Sequence, residues 1–264
     1  MKVKRWSWPD IFEMMTFMSV ILSILTILES AVVDKPSLKV QILLVFSSFI
    51  FSLITEFFRR RYRRYKVIET NGKTIRICCG NLFDASDNII IPVNRTFDTK
   101  VDDIIISSKS LHGMFITKYF NNTNSLREQI ERQLQSEPFV EITRNGDVLK
   151  EYGPGTMVSI ITQNKRFILL ALTQFDCYNN AYCLLSDYCA TIDRLLREFN
   201  KKGQGSSISI PLIGGGLSRM KTEPETLLEL LVSLIKIHKD DYPKEITIIL
   251  RKETMEDIDL SKVN

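Results

Sequence analysis

Two uncharged apolar runs, residues 14–28 and 40–55, lie near the start of this chain, and the second leads into Arg59-Arg60-Arg61-Tyr62-Arg63-Arg64-Tyr65-Lys66. As helices they would span about 23–24 Å each, somewhat less than the ~30 Å hydrocarbon core of a bilayer. Ile11, Phe12, residues 31–33, Phe57 and Phe58 extend the runs. Glu13, Glu29 and Glu56 then fall near the interfaces, where a carboxylate costs far less than at mid-membrane. Only Asp34-Lys35-Pro36-Ser37 separates the runs, so a tight two-helix transmembrane hairpin is expected.

Lys and Arg near span ends are retained on the cytoplasmic side. Lys2, Lys4 and Arg5 precede the first run and the arginine cluster follows the second, so both termini are expected in the cytoplasm. The predicted location is the cell inner membrane, crossed twice. Trp6, Trp8, Tyr62 and Tyr65 stand where interfacial aromatics belong. A cleaved signal peptide would not bring a second span with it. The net charge is +4, and the basic cluster more than accounts for it. The remainder is therefore near neutral, which argues against nucleic acid as a partner and makes anionic lipid headgroups the expected partner of the cluster. Five cysteines form no CxxC pair and the two histidines stand far apart, so no metal site and no resident cofactor are expected.

Hydroxyl residues recur along each run. Thr16, Ser19, Ser23, Thr26 and Ser30 share one helical face, and so do Gln41, Ser48, Ser52 and Thr55. Small polar residues let membrane helices approach and hydrogen-bond. Two readings fit: the stripes face each other within one hairpin, or one of them lines subunit contacts in a homo-oligomer.

Beyond Gly72 short β-rich runs alternate with helical ones. Strands are expected at 74–78, 88–93, 156–162, 166–172, 207–212 and 245–250, with helices at 110–120, 125–135, 180–199 and 223–237. Thr222-x-x-Glu225 with Pro224 reads as a capping box. Arg144-Asn145-Gly146-Asp147 reads as a hairpin tip, and Gly153-Pro154-Gly155 as a break before the next strand. Such alternation implies one α/β domain with a mostly parallel or mixed sheet, and ligands of such sheets bind beyond the carboxyl ends of the strands. Three of those ends are unusual: Gly80-Asn81-Leu82-Phe83-Asp84, Pro92-Val93-Asn94-Arg95-Thr96-Phe97-Asp98-Thr99, and Ile210-Pro211-Leu212-Ile213-Gly214-Gly215-Gly216-Leu217-Ser218-Arg219. The glycine run permits close approach of backbone to an anion. It is neither a Walker loop nor a dinucleotide fingerprint, and by itself it also reads as a plain loop. Phe83, Phe97 and Phe115 are either core or stacking surfaces for a base, and His112 is either a loop contact or structural.

Taken together these segments resemble a macro domain. Gly80-Asn81-Leu82-Phe83 stands where that family has its Gly-Asp-Ile motif, and Ile90-Ile91-Pro92-Val93-Asn94 matches the strand that ends in its Asn. Ser110-Leu111-His112-Gly113-Met114-Phe115 takes the place of its first phosphate loop, and Ile213-Gly214-Gly215-Gly216 of its second. Two spans, an arginine cluster and a macro domain in that order resemble the membrane-bound macro effectors of type II Thoeris anti-phage defence. The resemblance implies a transmembrane hairpin in 1–66 and, in 67–264, a three-layer α/β/α domain with a mixed central sheet. It implies an ADP-ribose-type ligand, an ADP-ribose joined to histidine and made by a partner TIR-domain protein. Binding would drive homo-oligomerisation and membrane disruption, leading to abortive infection. By position, Asn81 would meet the adenine edge, Leu82 would belong to the same binding segment, and Asn94 and Asp98 would lie near the distal ribose. The diphosphate would lie on the backbone of Leu111, His112, Gly113, Met114 and Phe115 and of Ile213, Gly214, Gly215, Gly216 and Leu217. The first loop has only Gly113 where the family's hydrolases carry a glycine-rich run, which favours a receptor with no catalytic residue. The alternative is a membrane-tethered ADP-ribosyl hydrolase in which Asn94 and Asp98 position a water.

Overall fold

The structure, a computed structural model, describes residues 65–70, 73–85, 88–203, 207–215, 220, 222–238, 245–260 and 262–263, with the isolated positions 21, 46 and 50. Apart from those three positions the described residues belong to one compact unit, Arg64–Asn264. Both apolar runs lie outside the described residues except at the three isolated positions. Among the described residues no helix is long and apolar enough to cross a membrane.

The strands are β1 (Tyr65–Thr70), β2 (Lys73–Cys79), β3 (Asn88–Asn94), β4 (Phe139–Arg144), β5 (Asp147–Tyr152), β6 (Met157–Thr162), β7 (Lys165–Phe175), β8 (Ala181–Tyr182), β9 (Ile208–Pro211) and β10 (Glu245–Leu250). The helices, numbered within this unit, are α1 (Leu111–Tyr119), α2 (Asn124–Leu134), α3 (Leu185–Gly203), α4 (Pro224–Ile237) and α5 (Lys252–Glu256). The main sheet runs β1-β2-β10-β9-β3-β7-β6, with β8 paired to the end of β7. Neighbours from β2 through β7 are parallel, while β1 and β6 close the two edges antiparallel. The expected mixed sheet is therefore present. β4 and β5 form a separate hairpin that turns at Asn145-Gly146, both in the left-handed region with φ of 54° and 89°. An Asn-Gly pair is the preferred occupant of such a turn.

Strand patterning separates two cores. Ile90, Ile168, Leu170, Ile208, Ile210, Ile246 and Ile248 point to one face, where Tyr188, Leu195, Leu196 and Phe199 of α3 and Leu228, Leu231 and Val232 of α4 cover them. Ile89, Ile91, Val93, Phe167, Leu169 and Ala171 point to the other, beneath Phe115 and Ile116 of α1 and Leu126, Ile130 and Leu134 of α2. Near-continuous apolar strands such as β3 and β7 are what burial on both faces requires. The result is the expected three-layer α/β/α arrangement.

Three local expectations change. Tyr65 and Lys66, grouped by sequence with the basic cluster, begin β1, and Lys66 Nζ donates to Leu260 O (3.0 Å) and Val263 O. The Thr222/Glu225 capping box does not form. Glu223 is the N-cap without a side-chain bond, Thr222 Oγ1 donates to Met220 O at 2.8 Å, and Glu225 is drawn away by Lys262 and the Asp259 amide. The helix expected over 180–199 starts later, because Ala181 and Tyr182 pair with β7.

Because Leu169 is fully buried on β7, Leu169→Ala should cost about 2–5 kcal/mol. Ile161→Ala, at a position 62% exposed on β6, should change stability by under about 0.5 kcal/mol. Urea midpoints measure both, and similar values for the two variants would contradict the layering.

Candidate functional site

β9 and β3 are adjacent and parallel, so the segments leaving their carboxyl ends emerge side by side at one rim. One is the turn after β9, where Gly215 N donates to Leu212 O (3.3 Å). Gly214 there has φ +86°, and a Cβ on it would stand 2.6 Å from Met220 Sδ. Ile213 is buried in the core, while Gly214 and Gly215 are partly exposed. Gly216 and Leu217 lie outside the described residues.

The other is the turn after β3. The pairing of β3 with β7 shifts register between Val93 and Asn94, a bulge that ends the ladder at Asn94. Asn94 is buried, and its Oδ1 accepts from Asp98 N (3.0 Å) and Thr96 Oγ1 (3.2 Å). Its Nδ2 has no hydrogen-bond partner among the described residues. Phe97 inside the turn has φ +49°, a strained conformation for an aromatic residue. Its ring is buried, edge-on to Tyr152 at 5.8 Å, which makes it core. Asp98 is clamped from the hairpin. Arg144 Nη2 donates to both carboxylate oxygens (2.7 and 2.8 Å), Nη1 donates to Thr96 Oγ1 (3.2 Å), and the guanidinium lies 5.1 Å from the Phe175 ring centroid. Such a bidentate, partly buried pair is among the stronger ionic contacts.

The segment that takes the place of the first phosphate loop forms the first turn of α1, within the helix expected over 110–120. Ser110 is its N-cap, with Oγ accepting from Gly113 N (2.9 Å) and donating to Ser107 O (2.7 Å). Met114 N is consumed by Ser110 O. Phe115 follows one residue later inside the helix, and its ring is fully buried against Tyr119, Phe120 and Phe167. The amides left at the helix end are those of Leu111 and His112, at the positive pole of the helix dipole. Gly113 is required by packing, because a Cβ there would sit 2.2 Å from Ser107 O. Asp102 and Asp103 brace the preceding loop by accepting from the Ile104, Ile105 and Ser108 amides.

His112 is buried. Loss of solvation pulls its pKa from 6.5 down to about 4, and the nearby Asp98 carboxylate offsets this only in part. At neutral pH the imidazole is uncharged.

The third segment follows β2. Gly80 N donates to Leu250 O (3.0 Å), and Asn81 then caps a single 3-10 turn, Leu82–Asp84. Asn81 Oδ1 accepts from Phe83 N (3.2 Å) and Nδ2 donates to Asp84 Oδ1 (3.1 Å), so its carboxamide is exposed but engaged locally. Leu82 and Phe83 are core residues. Lys165 Nζ ties the turn down by donating to Phe83 O (2.5 Å) and Ala85 O (3.1 Å). Arg144 and Lys165 were missed in the sequence reading. Arg144 was legible only as part of a hairpin tip, and nothing local marks Lys165.

The chain has likenesses among known proteins. The family described as "Thoeris protein ThsA, Macro domain" matches residues 75–251. The chain is 24% identical over 269 residues to the Thoeris protein ThsA of Bacillus amyloliquefaciens (strain Y2), covering 98% of this chain and 88% of that protein. Among solved structures it is similar to the Oceanobacillus iheyensis macrodomain with ADP (TM-score 0.47, 12% identity, 73% of this chain and 91% of that one). A point mutant of that macrodomain with ADPR gives TM-score 0.49 and 11% identity, covering 73% of this chain and 93% of that one.

Two predictions follow from the rim. Between the unfolded value of 6.5 and the folded value near 4, the native state binds fewer protons at His112 than the unfolded chain does. Stability should therefore fall as pH drops through that window, by about 3 kcal/mol in all. Urea titrations of wild type and His112→Gln measure it, and an equal pH slope in the variant would sink the assignment. Gly113→Ala would ordinarily favour a helix by about 1 kcal/mol. Here it should lower the melting temperature by displacing the Ser107 carbonyl, and a rise would contradict the packing.

Proposed function

Because the chain belongs to the family of Thoeris ThsA macro domains, we propose that it is a defence receptor whose macro domain binds an ADP-ribose-type nucleotide. The proposed signal is ADP-ribose joined to histidine, supplied by a TIR-domain protein that need not touch this chain. Occupancy drives self-association, and residues 14–28 and 40–55 anchor the protein in the inner membrane and disrupt it. The basic cluster contacts anionic headgroups.

The observation that carries this reading is the rim itself. Leu111 and His112 offer amide donors at the end of α1, near enough to the turn after β3 for Asp98 to act on His112. That turn carries the Asn94 Nδ2 donor and leaves the sheet next to the turn after β9 that holds Gly214 and Gly215. A diphosphate needs preorganised donors, and main-chain N–H groups at a helix end supply them without burying further cations. Reception rather than turnover is supported by the state of the nearby titratable groups. Asp98 is clamped by Arg144, and His112 is neutral and buried.

Titration calorimetry of the full-length chain in detergent tests the reading. ADP-ribose, or its histidine conjugate, should bind saturably at one site per chain, and the protein should release no free ADP-ribose from ADP-ribosylated protein. Absence of heat with every ADP-ribose compound would overturn the receptor, and sustained turnover would overturn the non-catalytic part.

A further inference from the structure

The main sheet ends at two edge strands, β1 and β6, and they are finished differently. Only Gln163-Asn164 separates Thr162 from its partner Lys165, and in so short a hairpin the closing pair is mutually hydrogen-bonded. Alternation from that pair turns the N–H and C=O of Ser159 away from β7, toward the open side. One side chain of α2 answers both groups there. Gln133 Oε1 accepts from Ser159 N (2.9 Å), and Gln133 Nε2 donates to Ser159 O (2.8 Å). A carboxamide so placed imitates the next strand and denies the position to another chain.

β1 carries no such cover. Asn71-Gly72 likewise separates Thr70 from its partner Lys73, so the N–H and C=O groups of Tyr65, Val67 and Glu69 turn outward. None of them has a hydrogen-bond partner among the described residues. The strand keeps unbroken register with β2 over its whole length, without bulge or proline, and Tyr65 and Val67 are 51% and 41% exposed. Lys66 points inward, the kind of charge that can deter an arriving strand, but it is engaged by the Leu260 and Val263 carbonyls.

The residues of β1 say what this edge can pair with. Two copies related by a two-fold axis normal to the sheet meet as antiparallel strands, and facing residues share one side of the joined sheet. Centring the axis on Lys66 or on Glu69 sets a like charge against itself. An axis at Ile68 leaves the outward groups of Tyr65 beyond the end of the partner strand. An axis at Val67 places Tyr65 opposite Glu69 of the second copy and Val67 opposite its own counterpart. No like charges are then opposed, and every outward group of the strand is engaged. Gln133 obstructs the head-to-tail alternative, β1 on the β6 edge of the next copy, which would not close.

We propose that two copies of this chain associate through β1, edge to edge and antiparallel about Val67, joining their main sheets into one. A six-residue strand is a small contact beside the ~1,200–2,000 Å² of stable interfaces, so the pairing is weak and responds to local concentration. It gives a surface to the self-association proposed above. That a nucleotide promotes it rests on the receptor reading; the pairing itself does not.

Sedimentation of the full-length chain in detergent over a concentration series, with and without ADP-ribose, measures the association. The wild type should form dimers. Val67→Lys, which sets two ammonium groups opposite each other, should raise the dimer dissociation constant about tenfold or more and leave the melting temperature unchanged. Val67→Cys in a Cys177→Ser background should cross-link under an added oxidant, because facing Cα atoms of a hydrogen-bonded pair stand about 5.5 Å apart. Ile161→Cys in the same background, on the guarded β6 edge, should not. If Val67→Lys unfolds, the two cysteine variants decide. A chain that stays monomeric in every condition overturns the proposal, and so does association that Val67→Lys leaves unchanged or equal cross-linking at both cysteines. Dimers through Val67 in a chain that gives no heat with ADP-ribose support the edge and count against the receptor. ADP-ribose binding by a chain that does not pair at Val67 refutes the edge and leaves the receptor standing.

Discussion

Everything at the rim depends on β3 being held on all sides. Its residues are buried on both faces, β7 pairs with it along one edge, and β9 joins its start on the other. A strand so fixed has no freedom to shift register, because a one-residue slip would turn Ile89 and Ile91 into the opposite core. The chain can change direction only where the ladder breaks, at the bulge after Val93. Asn94 is therefore delivered to one place, and its carboxamide folds the next four residues around itself. The left-handed Phe97 is tolerated because its ring packs on Tyr152 and Asp98 is clamped beyond it. Strain of this kind persists where surrounding contacts over-determine it.

The electrostatic character of the rim follows from that packing. His112 faces inward from the first turn of α1 because Gly113 lets the helix lie against the Ser107 carbonyl. Buried, it stays neutral, so the helix end offers amide dipoles rather than a formal positive charge. The cations nearby are answered by carboxylates, Arg144 by Asp98 and Arg95 by Asp187. A near-neutral domain can in this way present an oriented field to an anion without the self-repulsion of a basic patch.

What the sequence made legible was set by how local the cause was. The order of the central strands and the main helices followed from periodicity, and β10 matched residue for residue because Glu245–Leu250 is one uninterrupted β-rich run. The rim turns were legible through Asn94 and the glycines, residues whose types are tied to backbone needs. Non-local causes were not legible. Tyr65 and Lys66 read as part of the basic cluster, whereas Tyr65 pairs with Cys78 of β2 and Lys66 is held by the carbonyls of Leu260 and Val263. The Thr222 box fails because Glu225 finds a better partner in Lys262, a tertiary contact no local pattern encodes. Arg144 and Lys165 act across 46 and 82 residues of sequence, so their roles exist only in the fold.

The β4–β5 hairpin is tied to the rim without joining the main sheet. Among the described residues its two strands pair only with each other, so their sequence is not constrained by the ladder of that sheet. Yet the hairpin reaches the rim at both ends: Arg144 at its tip fixes Asp98, and Tyr152 at its foot donates its amide to Arg95 O at 3.0 Å. Glu151, one residue before that foot, accepts from Gln174 Nε2 of β7 at 2.8 Å, a further tie to the sheet. The hairpin can therefore vary along its length without disturbing the ladder that fixes β3, provided that Arg144 and Tyr152 keep their contacts with Asp98 and Arg95.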